Sequence, residues 1–243
     1  MDERWAIWID IEGFRKKYPE NFQEALYPLG ELMRGIYDCG ESICRESPDR
    51  LFAHQTGDGF IIVSEFMRGH PELPVGIAIY LMRKVLLAGG VAKAAISNGE
   101  FADVQACYPE DLMRLKGNGI LPIGDGLLSI FPVMGTALIN AYSLSVKEHG
   151  AILLVDNEIQ GDATPEYSIV KREDASEFKY SVVDWVGSDT AMIRKITSAT
   201  NTVFPTASVI AKLLDKYICD NPNSPPHWLE KTRSLSGMEV WKA

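Results

Sequence analysis

Two acidic residues stand where an oxygen-liganded metal ion would need them. Asp10 closes the short apolar run Trp5–Ile9 within RWAIWIDIEGF (residues 4–14), and Asp58 lies between two apolar runs in LFAHQTGDGFIIV (51–63). A carboxylate at the end of a buried strand costs free energy unless positive charge meets it. If the strands that carry them are neighbours, both carboxylates reach one sheet edge. There they could hold Mg²⁺ or Mn²⁺, with a substrate phosphate supplying further ligands. Each acid also has a plain structural reading: Asp10 as the N-cap of a following helix, Asp58 as the turn residue of an Asp-Gly hairpin. Lys93 is a charged residue inside the apolar run Val91–Ser97, uncommon unless that strand is an edge with the lysine facing water. Arg15, Lys16 and Lys17 follow the first acid and read either as a phosphate-holding cluster or as a solvated face.

The elements that must position these residues follow from periodicity. Trp5–Ile9 is too short for a helix and apolar on both faces, so it reads as a central strand. Leu26, Leu29, Leu32, Met33, Ile36 and Tyr37 recur at helical spacing over residues 22–44, with Pro28 predicting a kink or restart. Residues 51–55 and 60–64 form a hairpin. A second helix starts near Pro74, passes through Ile79, Met82 and Leu86, and stops at Gly89-Gly90. Residues 91–97 form a third core strand. The order βαββαβ predicts an α+β, ferredoxin-like core: an antiparallel sheet with helices on one face. Beyond it, the second Gly-Asp-Gly (124–126), preceded by the poor strand Leu121-Pro122-Ile123, reads as a plain turn. A strand (127–131), a helix (135–149) and a strand (151–155) close a core of residues 1–156. Residues 157–243 form a C-terminal αβ extension packed on the core or on a dimer partner. It holds a strand at 180–185, helices at 191–196 and 208–219, a linker at 221–226, and a tail with Trp228 and Trp241. The stripe Ile210, Leu213, Leu214 and Tyr217 reads as core or dimer contact.

Composition narrows the classes. With 243 residues, 46% hydrophobic and 23% charged, the chain is globular, one domain with an appended element. No apolar run is long enough to cross a bilayer, and the N-terminus opens straight into a strand without a signal-peptide pattern. Cys39, Cys44, Cys107 and Cys219 show no zinc spacing, and a reduced cytoplasmic setting is expected. A net charge of −9 argues against a broad nucleic-acid face but leaves a nucleotide substrate open, because bound metal offsets local carboxylates.

Asp10-Ile11-Glu12-Gly13-Phe14 and Gly57-Asp58 resemble the two metal motifs of class III nucleotidyl cyclases, "DI-x-GF" and a "GD" hairpin. The likeness runs from residue 1 to about 155. It implies that Asp10 and Asp58 bind two Mg²⁺ or Mn²⁺ ions with the Ile11 carbonyl as a third ligand, and that the Glu12-Gly13-Phe14 turn offers N–H groups to the phosphates. Lys93 stands where the family has a phosphate-binding arginine. The implied reaction is attack of a ribose 3′-hydroxyl on the α-phosphate of a nucleoside triphosphate, releasing pyrophosphate. The implied assembly is a homodimer with sites at the interface, metal aspartates from one protomer and base contacts from the other. The sequence also departs from the family. His54, with Phe52 and Gln55 nearby, replaces the purine-selecting lysine, and the second base-selecting position falls in the apolar stretch 130–133. In GTALINAYSL (135–144), Ile139 stands for the family's asparagine and Ser143 for its transition-state arginine; a shift of one residue restores Asn140 only. Either catalysis is lost or a cation comes from elsewhere, such as Arg114 or Lys116. The altered base pocket, with MGTALINAY and GEFADVQACYP, resembles the pyrimidine cyclases of bacterial antiphage (Pycsar) signalling, which make cyclic UMP or cyclic CMP for a separate effector. Bulky Phe52, His54 and Tyr142 would suit a one-ring base, with UTP favoured over CTP. The competing expectations are a purine cyclase, a catalytically silent nucleotide-binding module, a diguanylate-cyclase-like enzyme (whose Gly-Gly-[Asp/Glu]-Glu-Phe signature is missing), and a structural dimer.

Overall fold

The computed structural model describes residues 2–45, 51–64, 71–103, 109–110, 120–123, 125–129, 133–157, 167–173 and 179–241. The chain begins β1 (Asp2–Ile11), α1 (Phe14–Glu20), α2 (Phe22–Ser42), β2 (Leu51–Thr56), β3 (Gly59–Ser64), α3 (Glu72–Leu87) and β4 (Ala92–Asp103). This is the expected βαββαβ order with the first helix in two pieces. The break is at Asn21, whose side chain accepts from the Glu24 N–H and caps α2. Pro28 does not interrupt α2; it is buried against Gly90, where an added Cβ would lie 2.6 Å from the proline ring.

The four core strands run β2-β3-β1-β4, each pair antiparallel. Trp5, Ile7, Ile9 and Ile11 of β1 face the main core with α2 and α3. Ala6 and Trp8 face the other way, against Ala137 and Ala141 of α4 (Thr136–Ser145). Covering both faces is why the β1 sequence is an apolar run rather than an alternation. α3 is buried nearly all round because the sheet, α2 and a helix from the C-terminal part enclose it.

The remaining elements are β5 (Ile120–Ile123), β6 (Gly126–Ser129), β7 (Val133–Met134), β8 (Leu153–Asp156), β9 (Ile169–Glu173), β10 (Tyr180–Val183), α5 (Ala191–Ala199), α6 (Ala207–Asp220), α7 (Pro226–Leu235) and α8 (Met238–Trp241). The reading of Leu121-Pro122-Ile123 as a poor strand is corrected: despite Pro122, β5 pairs antiparallel with β6. β8 lies parallel to β4, and β10 and β9 continue the same sheet, so the sheet passes across residue 156. α5 packs on α3, as does α6. Ile210, Leu214 and Tyr217 of α6 belong to the main core, which assigns that stripe to this chain's own interior.

Candidate active site

Asp10 is the penultimate residue of β1, directly beside the β2–β3 turn. It pairs in register with Gly59 on one side and Lys93 on the other. The Ile11 N–H donates to the Asp58 carbonyl at 3.3 Å, which fixes the turn against the strand end. A Cβ on Gly59 would approach the Ile9 carbonyl at 2.7 Å and the Asp10 Cβ at 2.9 Å, so this approach needs glycine. The helix-cap reading of Asp10 does not hold: Gly13 is the N-cap of α1, with φ 74°, a left-handed conformation in which glycine is at ease. The expectation that Asp10 and Asp58 share one sheet edge is what the geometry gives.

The Asp10 carboxylate is in an unsatisfied state. Its Oδ1 is buried with no hydrogen-bond partner among the described residues. Burial pushes its pKa up to about 6; Lys93 opposes this, Glu12 and Asp58 push the same way, and a hydrogen bond from its own backbone opposes them weakly. A buried oxygen without a donor, next to a second carboxylate, fits a hard divalent cation. Among the described residues no group of three or more His, Cys, Asp or Glu side chains gathers for a metal.

Lys93 is not on an edge strand. β4 lies between β1 and β8, and the Lys93 side chain is only 11% exposed. Its ammonium sits 3.3 Å from Glu12 Oε1, while Glu12 Oε2 accepts from the Trp228 indole at 2.6 Å. The Glu12 N–H donates to the Val91 carbonyl at 2.9 Å. Of the Glu12-Gly13-Phe14 turn, that leaves the Gly13 and Phe14 amides to meet a phosphate. Lys16 and Lys17 donate their backbone N–H groups to Gly13, and the Lys17 ammonium lies over the Tyr217 ring at 4.3 Å. Arg15 is exposed on α1.

The base-pocket candidates lie on the same face of the sheet, further along. Lys93, Asp10, Gly59 and Thr56 form one cross-strand row; His54 pairs with Ile61 and Trp8 two residues on, and Phe52 with Val63 and Ala6 two beyond that. Phe52 thus stands about 13 Å from the Asp10 row at the usual rise per residue. Its ring is 6.4 Å from that of Phe101. Burial lowers the His54 pKa, which makes its imidazole neutral near pH 7. Tyr142 packs edge-on to Trp8 at 4.8 Å. On α4, Asn140 donates to the Asn98 carbonyl at 3.0 Å and Ile139 is 63% exposed. Arg114, Lys116 and residues 130–132 lie outside the described residues.

Trp228 and Tyr217 are the site neighbours that sequence reasoning missed. Trp228 reaches Glu12 across 216 residues, and an alanine at Gly13 would bring its Cβ to 3.7 Å from the Tyr217 hydroxyl. The aromatic residues in a polar C-terminal tail were the available signal, without any indication of where they dock.

The sequence matches no family model and no curated protein. The fold is that of a nucleotidyl cyclase catalytic domain. It is similar to the guanylyl cyclase Cya2 with a TM-score of 0.50 and 9% identity, covering 75% of this chain and 91% of that one. Similarity extends to the guanylyl cyclase domain of RhoGC from Blastocladiella emersonii, at TM-score 0.48 and 8% identity, over 78% of this chain and 97% of that one. It also reaches the guanylate cyclase domain of RhGC from Catenaria anguillulae in complex with GTP, at TM-score 0.45 and 8% identity, over 75% and 96%. At such identities the likeness is one of fold.

Proposed function

We propose that this chain is a nucleotide cyclase acting on a pyrimidine nucleoside triphosphate. It converts UTP, or CTP, to the 3′,5′-cyclic monophosphate and pyrophosphate. The observation that carries the reading is the Asp10–Asp58 edge: the turn bearing Asp58 is fixed against the end of β1 by the backbone hydrogen bond from Ile11, and Asp10 Oδ1 is buried with no hydrogen-bond partner among the described residues. Asp10, Asp58 and the Ile11 carbonyl would hold two Mg²⁺ or Mn²⁺ ions. Bound there, the ions would lower the pKa of the 3′-hydroxyl and offset triphosphate charge. Lys93, released from Glu12, would present its ammonium to the phosphates, and the Gly13 and Phe14 amides would orient them. Neutral His54 would offer a donor and an acceptor to the base edge. Phe52 and His54 sit rows away from Asp10 on one face, which supports a two-fold homodimer where one protomer's aspartates meet the other's base contacts. The product would be a second messenger read by a separate cyclic-nucleotide-sensing effector in antiphage defence.

The arginine missing from α4 favours one other reading, a nucleotide-binding module without turnover, because a cation on developing phosphate charge is worth several kcal/mol. The test is incubation with Mn²⁺ and ATP, GTP, CTP or UTP beside Asp58→Ala, with products identified by mass. Cyclic UMP or cyclic CMP, absent from the variant, is expected. Cyclic AMP or GMP as the main product overturns the base assignment, and no product from any nucleotide leaves the binding module. Light scattering checks the assembly: a monomer that retains turnover would sink the shared-site dimer.

A further inference from the structure

A cavity of about 540 Å³ lies beneath the C-terminal helices, and none of the candidate-site residues lines it. Arg83 of α3 does, 6% exposed. Its Nε and Nη2 donate to the carbonyls of Trp185, Val186 and Ser188 at 2.7–3.0 Å. Its Nη1 makes no hydrogen bond among the described residues, and no carboxylate there lies within ion-pair distance. The acids around it are engaged elsewhere. Asp184 accepts from the Gly187 N–H and the Trp241 indole, and Asp189 accepts from Arg194 at 3.0 Å. A buried guanidinium held only by neutral carbonyls leaves a positive charge facing the cavity. Burial accordingly lowers its pKa to about 10, with Asp184 and Asp189 opposing.

Two further groups line the same space. Ser188 is 3% exposed, and its Oγ has no hydrogen-bond partner among the described residues. α6, fourteen residues long, begins there at Thr206 and Ala207, and the Thr206 side chain caps none of its N–H groups. A helix start, a buried cation and an unpartnered hydroxyl together favour an anion. The wall also holds Phe204, whose ring centroid is 5.8 Å from the Arg83 guanidinium, Val203 and Trp241, beside Thr197, Thr202 and Asp189, the last of these paired with Arg194. The volume falls within the range of small-molecule sites.

We infer that this cavity is a second ligand site, for a small flat aromatic molecule bearing one anionic group. The anion would meet Arg83, Ser188 Oγ and the first amides of α6. The ring would lie against Phe204 and Trp241. This site is independent of the nucleotide reading, since it shares no residue with it.

The probe is 1-naphthyl phosphate, titrated calorimetrically into the full chain, with 1-naphthol and inorganic phosphate as partial ligands. Phosphate alone reports an anion site without the aromatic requirement, and the naphthol reports a greasy cleft. Arg83→Met would orphan three carbonyls and is unsuitable. Thr206→Asp keeps a good N-cap while placing a carboxylate at the start of α6, so it preserves folding. Saturable binding of the naphthyl phosphate is expected. It should weaken about tenfold in Thr206→Asp and severalfold in Ser188→Ala, the scale of a lost hydrogen bond to a charged group, and persist in Asp58→Ala. Equal binding by Thr206→Asp and the parent, tighter binding of naphthol, loss in Asp58→Ala, or no saturable heat would each overturn the assignment.

Discussion

Two carboxylates in this fold, Glu148 and the half-buried Asp10, are in opposite states. Glu148, 7% exposed just past α4, accepts from the Tyr180 hydroxyl at 2.9 Å and lies 3.0 Å from the Lys231 ammonium and 3.5 Å from that of Lys171. It ties β10, β9 and α7 to the end of α4. Burial works to raise its pKa, yet these donors win and hold it below the ordinary carboxylate value. Asp10 has a lysine opposite it in register, but that lysine is turned to Glu12, and its pKa rises to about 6. The first acid has every partner a structural role requires. The second is left short of partners beside another acid, the contrast on which its proposed metal-binding role rests.

The largest effect that could break this contrast is on turnover. Asp10→Asn and Asp58→Ala should each lower cyclic-nucleotide formation by at least about 100-fold, the scale of losing one preorganised charge contact. Fold should be retained by circular dichroism. Activity within a few-fold of the parent would reduce both acids to a strand end and a turn. Glu148→Ala should do the reverse. It removes the carboxylate that accepts from the Tyr180 hydroxyl and faces two ammonium groups, so unfolding in urea should show a loss of about 2 kcal/mol. Glu148 contributes stability that is present above the ordinary carboxylate pKa and is lost as pH falls through its lowered value. An alanine variant whose deficit stays constant from pH 7 to pH 3 would contradict that account.

Asp10 should show the opposite sign. Its folded-state pKa is raised, so the stability it contributes exists when it is protonated, below its unfolded value of 3.8, and is lost as pH rises through about 6. Metal-free Asp10→Asn should therefore be more stable than the parent at pH 8, by about 1–3 kcal/mol for such a shift. The gain should fade between pH 6 and pH 4. Added Mn²⁺ should raise the melting temperature of the parent and not that of the variant. A variant less stable than the parent at pH 8 would overturn the account of Asp10 as a carboxylate short of compensating partners.

The sequence carried the frame and the acid edge because both are local signals. An apolar run ending in Asp10, a hairpin at Gly57-Asp58 and two helical stripes each lie within a window of a few turns, and their order already dictates the β2-β3-β1-β4 pairing. What stayed hidden depends on contacts that periodicity does not encode. Lys93 in an apolar run leaves open both a phosphate contact and an edge strand facing water, since a lone lysine says nothing of the glutamate that shelters it. Pro122 disguised β5, although a proline at a short outlying hairpin costs little pairing. Trp228 gave no hint of Glu12, because a contact spanning 216 residues is settled only by how α6 and α7 pack on the core.

That long contact yields the smallest and most discriminating effect. Glu12 is shared between Lys93 at 3.3 Å and the Trp228 indole at 2.6 Å. The indole therefore competes with Lys93, the cation proposed for the phosphates, for the charge of the Glu12 carboxylate. Trp228→Phe preserves most of the packing and removes one hydrogen bond to a charged group, a loss of about 1–2 kcal/mol in stability. With its second donor gone, Glu12 should hold Lys93 more tightly, so KM for the triphosphate should rise severalfold with kcat little changed. Glu12→Gln removes the competing charge altogether, and KM should fall. If both variants shift KM in the same direction, Lys93 is not exchanged between Glu12 and substrate, and the α7 contact serves stability alone. Opposite shifts would make residues from the C-terminal part, outside the βαββαβ core, a working component of the site.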